Sequence, residues 1–234
     1  MRVITLLPAL GAALAASTSN STGIRLAALP LAPGYDLSPP VRAWRVGGLH
    51  VGAGLNAAVL AAPDDGPAST ARVFYLNGTS ATLVSDGAPP TVLPFSLLLP
   101  AAGAPLAVSN LTTPGVAETF VNAGAGSPFA LGPSVLRGAG SAVEHAVTVP
   151  GRPGAWLACV RTVLYYQREF VVLAYVDATP LAGDGAGSQI VVPERCAPVD
   201  LLPLCAGLEP MPEGAVGSHK YAVEVACYSD LDGL

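Results

Sequence analysis

Charged side chains are scarce in this chain, and lysine is almost missing. Asp, Glu, Lys and Arg make up 12% of the 234 residues, hydrophobic residues make up 51%, and Lys220 is the one lysine. The net charge is −5 and the arginines are scattered, so no basic patch could follow a phosphate backbone. We therefore exclude nucleic acid as a partner. Low charge combined with 26 glycines and 23 prolines also argues against a coiled coil or a helical bundle.

Long hydrophobic runs and familiar catalytic motifs are missing as well. No apolar run beyond the N-terminus approaches the length of a membrane span, so we predict no span. The sequence lacks H-E-x-x-H and G-x-S-x-G, and His50, His145 and His219 have no second His or Cys at metal-ligand spacing. We predict neither a metal nor another cofactor. A hydrolytic triad assembled from distant residues stays open, with His50 or His145 as its base.

The N-terminus has the three parts of a secretory signal peptide. Met1-Arg2 is a basic start, residues 3–14 carry no charge, and Ala13-Leu14-Ala15 is a small-x-small cleavage site. We predict a signal peptide over residues 1–15, a polar leader over residues 16–22 and a single β-rich domain over residues 23–234. The protein is therefore expected to be secreted and extracellular.

The remaining pattern predicts an all-β fold, an antiparallel sandwich of short strands closed by a C-terminal helix. Residues 155–164 and 168–177, rich in Val, Leu, Phe and Tyr, predict a hairpin covered on both faces, because neither run alternates cleanly. Asn77-Gly78 predicts a second hairpin with a type I′ turn. The helix is expected to begin at Ser218, a good N-cap, since apolar residues then recur at roughly helical spacing up to Tyr228.

All four cysteines fall in the last third of the chain. An oxidising compartment pairs cysteines, so we expect two disulfides among Cys159, Cys196, Cys205 and Cys227. Four cysteines allow three pairings, and the sequence does not choose among them. We prefer Cys159–Cys196, which would tie the connection after the hairpin to its own strand, and Cys205–Cys227, which would tie the terminal helix to the loop before it.

Three N-x-[ST] sequons are candidate glycosylation sites in a secreted chain, namely Asn20, Asn77 and Asn110. Asn77 is the best of them, because a turn at Asn77-Gly78 should face solvent.

Two stretches are candidates for ligand binding. Gly52-Ala53-Gly54 lacks the third glycine and the lysine of a phosphate loop, so we favour a tight turn or bulge with positive φ. The alternative is a ligand loop in which His50 and Asn56 offer polar groups beside Trp44. At the hairpin tip, Tyr165 and Tyr166 could stack on a sugar or a partner, although packing at an edge or in the core is favoured.

Several segments resemble an uncharacterised family of fungal secreted proteins whose shared domain is catalogued as a domain of unknown function. The segments that carry the resemblance are HVGAGLNAAVL, RVFYLNGT, CVRTVLYYQREFVVLAYV and VPERCAPVDLLPLC. The resemblance implies secretion, a single domain and paired cysteines, and it brings no catalytic residues.

Taken with the residues, the resemblance predicts a secreted extracellular fungal protein, non-enzymatic, that binds a carbohydrate or a protein surface. The alternatives are a secreted hydrolase with a non-local catalytic site and a protease inhibitor.

Overall fold

The computed structural model describes residues 1–6, 17–63, 71–87, 92–101, 107–134, 137, 143–180, 188–232 and 234. The predicted cleavage site after Ala15 lies outside these residues. Within them the chain forms nineteen strands and one 3-10 turn, Pro33–Tyr35. The strands are β1 Arg2–Leu6, β2 Thr18–Ser21, β3 Gly23–Pro30, β4 Arg45–Gly52, β5 Leu55–Ala61, β6 Phe74–Asn77, β7 Thr82–Asp86, β8 Pro94–Leu98, β9 Val116–Glu118, β10 Phe120–Ala123, β11 Ala130–Gly132, β12 Ala146–Thr148, β13 Gly154–Val163, β14 Arg168–Asp177, β15 Thr179–Pro180, β16 Ser188–Val192, β17 Cys196–Ala206, β18 Ala222–Val223 and β19 Val225–Tyr228.

Nine of these strands close into a barrel. Paired neighbours run β3–β17–β13–β14–β5–β10–β8–β7–β6 and back to β3, and β4 bridges β3 and β5. The predicted all-β antiparallel class is confirmed, whereas the predicted sandwich is wrong. A sandwich keeps two sheets apart, but here β5 pairs with β14 through residues 59–60 and with β10 through residues 55–57. Because β5 pairs with β14 over one part of its length and with β10 over another, it links strands that a sandwich would leave with free edges, and the sheet closes.

The β13–β14 hairpin forms the best-covered wall of the barrel. Trp156 and Ala158 point into the barrel core, and the alternate residues Leu157 and Cys159 belong to a second core on the outer face. That outer core includes Ile190 of β16, in the small sheet β1–β16–β15. The hairpin covered on both faces, as the sequence predicted, is thus present, and its lack of alternation follows from having apolar cores on both sides.

The predicted C-terminal helix is absent from the described residues, and strands β18 and β19 occupy that region. β18 pairs with β6, and β19 pairs with β2 antiparallel and with β17 parallel at Leu204–Tyr228. Val225 and Cys227 are buried while Ala226 between them is half-buried, which is a strand pattern. Backbone edges of the barrel offer more hydrogen bonds to this segment than a short isolated helix would keep, so tertiary pairing overrides the weak helical spacing.

Strand β17 was not predicted from the sequence. Its sequence contains two prolines, Pro198 and Pro203, which argue against a strand because proline has no backbone N–H to donate to the hydrogen bonds of a sheet. β17 pairs with β13 through residues 196–199 and with β3 through residues 199–206, so its partner changes at Val199. Each proline therefore has a register partner in only one neighbouring strand, Pro198 in β13 and Pro203 in β3. The eleven-residue strand can thus contain both prolines.

Both disulfides hold β17. Cys159–Cys196 joins directly opposite residues of β13 and β17, with Cα atoms 4.1 Å apart, and Cys205–Cys227 joins β17 to β19 at 5.1 Å. The structure thus has the pairing preferred from the sequence. The reason given for the second bridge changes, since Cys227 lies in a strand and not in a helix.

The sequence predicts turns at Gly52-Ala53-Gly54 and at Asn77-Gly78, and the structure gives the geometry of both connections. The β4–β5 connection has Gly54 at φ +68° and a register shift between His50 and Gly52, as expected for a tight turn with a bulge. The β6–β7 hairpin is present, but its loop spans residues 78–81 and the left-handed residue is Ala81, so the type I′ turn at Asn77-Gly78 is wrong. Gly78 serves packing instead, because a Cβ there would lie 2.6 Å from Cγ1 of Val223.

Parts of the predicted signal peptide and of the predicted polar leader form strands in the described structure. Arg2–Leu6, inside the predicted signal peptide, forms β1 against β16, and Thr18–Ser21, inside the predicted polar leader, forms β2 against β19.

Breaking the second disulfide should weaken the fold without disturbing the first. The Cys205–Cys227 bridge closes a loop with a sequence separation of 22, worth roughly 3 kcal/mol in the chain-entropy model. Cys205→Ser should therefore lower the melting temperature by roughly 6–12 °C. It should leave one thiol, that of Cys227, titratable after denaturation.

Peptide mapping without reduction checks the pairing directly. Trypsin with an Asp-specific protease cuts between Cys196 and Cys205 at Asp200, so all four cysteines reach separate peptides. We expect one linked pair holding Cys159 and Cys196 and another holding Cys205 and Cys227. A peptide joining Cys159 to Cys205 or to Cys227 would contradict the structure.

Candidate functional site

A cleft of about 950 Å³ lies at one side of the barrel. Three aromatic residues line it: Tyr35 on the 3-10 turn, Trp44 just before β4 and Phe170 on β14. Its volume lies within the range of small-ligand sites, which are concave and mostly apolar with a few fixed polar groups. We call this the cleft.

Charged side chains of the cleft are fixed by contacts with their neighbours. Arg195 donates both terminal nitrogens to the two carboxylate oxygens of Glu169, one of them at 2.8 Å. This hydrogen bonding lowers the pKa of Glu169 and raises the pKa of Arg195. The guanidinium of Arg168 lies 4.7 Å from the ring centre of Phe170. The cleft therefore offers donors and acceptors of both signs beside aromatic faces.

A row of rings leads from the hairpin tip to the cleft. His50, Tyr165, Tyr166 and Phe170 follow one another with centroids 6.1, 5.0 and 5.6 Å apart, each pair edge to face. We call this row the aromatic ridge. Tyr165 is 63% exposed and Tyr166 is 38% exposed, so neither ring enters the core. Since Phe170 belongs to both ridge and cleft, the two form one continuous surface.

The tight connection between β13 and β14 positions the ridge. Residues 164–167 form the turn, and Gln167 adopts a left-handed φ of +54° that brings the chain back into register at Val163–Arg168. The two strands are joined by ten residue pairs, from Gly154–Asp177 to Val163–Arg168, so the tip is held on a long rigid support. Tip residues on such a support can present rings to a ligand with little loss of conformational freedom.

The three residues of the predicted ligand loop do not form one loop. Trp44 lines the cleft, His50 stands at the far end of the ridge, and six residues of extended chain, about 20 Å, separate them. Asn56 is buried, and its Nδ2 donates to the carbonyl of Val121 at 3.0 Å. Trp44 and His50 still belong to the same surface, because the ridge and the cleft share Phe170.

The other two histidines, His145 and His219, contact other parts of the described chain. His145 packs near the ring of Tyr228 at 6.1 Å. Among the described residues, the histidine paired with a carboxylate is His219, whose Nε2 lies 2.8 Å from Oδ2 of Asp86. It stands neither in the cleft nor on the ridge. No group of three or more His, Cys, Asp or Glu in the described ranges could hold a metal ion.

The three sequons lie in different surroundings. Asn20 on β2 and Asn110 are exposed. Asn77 is half-buried at the end of β6, where its Oδ1 accepts hydrogen bonds from the backbone and hydroxyl of Thr79 at 3.0 and 2.7 Å. The structure describes no helix that is long and apolar enough to cross a membrane.

Comparison with known proteins identifies relatives of the chain. Residues 21–205 match the family described as "Domain of unknown function (DUF7907)". The chain is 33% identical over 231 residues to the "Antigenic protein SchS34" of Stachybotrys chartarum, covering 93% of this chain and 90% of that protein. No solved structure matches.

The sequence indicates some residues of this surface, but not that the ridge and the cleft are joined. Trp44, Tyr165 and Tyr166 were singled out from their residue types. Nothing in the local sequence indicated that Glu169 would pair with Arg195, 26 residues away, or that Phe170 would join ridge to cleft. The run Arg168-Glu169-Phe170 after two tyrosines, with its mixture of charge and ring, was the signal available.

Tryptophan fluorescence tests the geometry of the cleft. The chain has two tryptophans, half-buried Trp44 in the cleft and Trp156, which is 3% exposed and donates to the carbonyl of Val147 at 2.8 Å. Acrylamide should quench the wild-type protein through Trp44, and Trp44→Phe should remove most of that quenching. Equal quenching of the variant and the wild type would show that Trp44 is not accessible from the cleft.

Proposed function

We propose, from the premise that this chain belongs to the DUF7907 domain family, that it is a secreted extracellular protein that binds carbohydrate through the aromatic ridge and the cleft. The binding is non-enzymatic in this proposal. The observation that carries it is the row of four rings ending in a cleft, with Tyr165 63% exposed within the row.

Export is supported by three independent features. The first residues have the pattern of a signal peptide, and both disulfides form, which an oxidising compartment favours. The fungal relative is called an antigenic protein, a name that agrees with an extracellular location. Asn20 and Asn110, both exposed, are the sequons best placed for glycosylation in an exported chain.

Carbohydrate is the ligand class that fits the surface chemistry. Aromatic rings offer flat apolar faces with low conformational freedom, which suits the C–H faces of sugar rings. Sugar hydroxyls both donate and accept hydrogen bonds, and the cleft supplies both through Arg168, Arg195 and Glu169. Apart from residues of the predicted signal peptide, the cleft carries Arg168 and Arg195 against Asp36, Glu169 and Glu194, so its surface favours a neutral glycan over an anion.

A hydrolase reading has less support. It would need an acid or base beside the bound ligand. The carboxylates that line the cleft are Asp36, Glu169 and Glu194, and the pKa of Glu169 is lowered by its hydrogen bonds to Arg195. The histidine paired with a carboxylate in the described residues, His219, lies away from the cleft, with its ring 5.1 Å from that of Tyr75. A role in holding the segment before β18 against β7 fits this contact.

Export can be checked at the mature N-terminus. If residues 1–15 are a signal peptide, the protein collected from the culture medium should begin near Ala16. Intact-mass measurement and N-terminal peptide sequencing give the answer. Retention inside the cell with Met1 still present would refute this part of the proposal.

Glycan binding can be checked by removing the exposed rings. The Tyr165→Ala/Tyr166→Ala double variant should lose about tenfold or more in affinity for insoluble fungal wall glycans such as chitin or β-glucan, since each stacked ring is worth roughly 0.5–1.5 kcal/mol. Depletion of the protein from solution measures the binding.

The matched control is Tyr221→Ala, which removes a tyrosine that is 48% exposed outside the ridge. It should bind as the wild type does, and the melting temperatures of both variants should stay close to that of the wild type. A wild-type protein that binds no glycan, or a double variant that binds as tightly as the wild type, would overturn the proposal. Capture of a protein partner through the ridge would do the same.

A further inference from the structure

Strand β1 occupies one whole edge of β16. Five residues pair antiparallel, from Arg2–Val192 to Leu6–Ser188. On its other edge β16 pairs with β15 through only two residues, Gln189 and Ser188. β1 therefore supplies most of the backbone partners of β16.

Ile4 is the side chain that fixes β1 in place. It is 8% exposed and packs in the outer core with Leu157, Ile190 and Val192, whereas its neighbour Val3 is 60% exposed. The slot beneath Ile4 is built by the barrel wall and by β16, and β1 merely fills it. The amino group of Met1 lies 3.6 Å from the carboxylate of Glu194, at the entrance to the slot.

Met1 also contributes to two cavities. It lines both the cleft and a second cavity of about 390 Å³ near Asn110 and Arg161. Removal of residues 1–15 would therefore open the edge of β16, uncover the slot and widen both cavities. An open edge beside an apolar slot is a template for strand addition.

We propose that the edge of β16 in the processed protein is a peptide-binding site, which takes an extended polypeptide segment antiparallel to β16. This inference rests on the signal-peptide cleavage in the proposed function. It adds a second kind of ligand, a peptide, at a place distinct from the tip of the aromatic ridge.

The place of β1 specifies the chemistry of the peptide. The segment carries a branched apolar residue at the position of Ile4, which enters the slot. It carries a free amino group or a basic side chain three residues earlier, beside Glu194. It has no proline where β1 pairs with β16, because proline would remove a ladder hydrogen bond.

The test uses the protein purified from the culture medium, with its N-terminus determined by mass spectrometry. The probe is the peptide Met-Arg-Val-Ile-Thr-Leu, amidated and labelled at its C-terminal end, and its fluorescence anisotropy is titrated with protein. We expect saturable binding, together with slower amide hydrogen exchange in residues 188–192 when the peptide is added.

Matched peptides and one protein variant serve as controls. Asp in place of Ile at the fourth position should weaken binding at least tenfold, and acetylation of the peptide amino group should weaken it a few-fold. Tyr221→Ala, which removes an exposed tyrosine outside both the ridge and the slot, should leave peptide binding unchanged.

Three results would overturn the inference. They are a secreted protein that retains residues 1–6, absence of saturable peptide binding, and equal binding of the Asp-substituted peptide. A processed protein that is dimeric by light scattering and does not take up the peptide would show that a second copy covers the edge. The first result also refutes cleavage, whereas the others leave the proposed export and glycan binding intact.

Discussion

The pairing of β17 with β13 on one side and β3 on the other is the constraint on which the barrel depends. β17 changes partner at Val199, so it closes the ring between the strongest hairpin and the first strand of the barrel. The disulfide at Cys196 fixes the register of β17 on β13, and the disulfide at Cys205 ties the other end of β17 to β19. A shift of one residue would turn every side chain of β17 to the opposite face and separate the bridged cysteines, so the covalent links and the packing enforce one register.

The candidate site depends on the same register. Arg195 comes directly before β17, and Cys196 is bonded to Cys159 in the neighbouring strand, so the bridge holds Arg195 within reach of Glu169 on β14. The ridge in turn extends from the turn that joins β13 to β14. A disulfide-linked and fully paired part of the barrel therefore carries the side chains proposed to contact a ligand, as preorganised binding requires.

The low charge of the chain has a structural counterpart in its layered cores. Alternate residues of β13 and β14 fill the barrel interior and an outer core beneath β16, and a third core packs outer residues of β3 and β17 against Tyr228. Strands covered on both faces need few polar residues. The buried carboxylate of Asp200, 3% exposed, is paired: it accepts from Arg137 at 2.8 Å and from the hydroxyl of Ser134 at 2.6 Å.

The sequence by itself determined the all-β class, the 155–177 hairpin and the turn at Gly54, because composition, runs of strand-forming residues and glycine at positive φ are local properties. Pairing of all four cysteines followed from the expected compartment. Only the tertiary structure decided that the sheet closes, that residues 218–228 join strand edges and that two prolines fit within β17. It also decided that Tyr165 is exposed while Phe170 joins the ridge to the cleft. These features depend on which strand edges and sheet faces pack together between residues far apart in the sequence. Neither the propensity of a residue nor the periodicity of a segment specifies that packing.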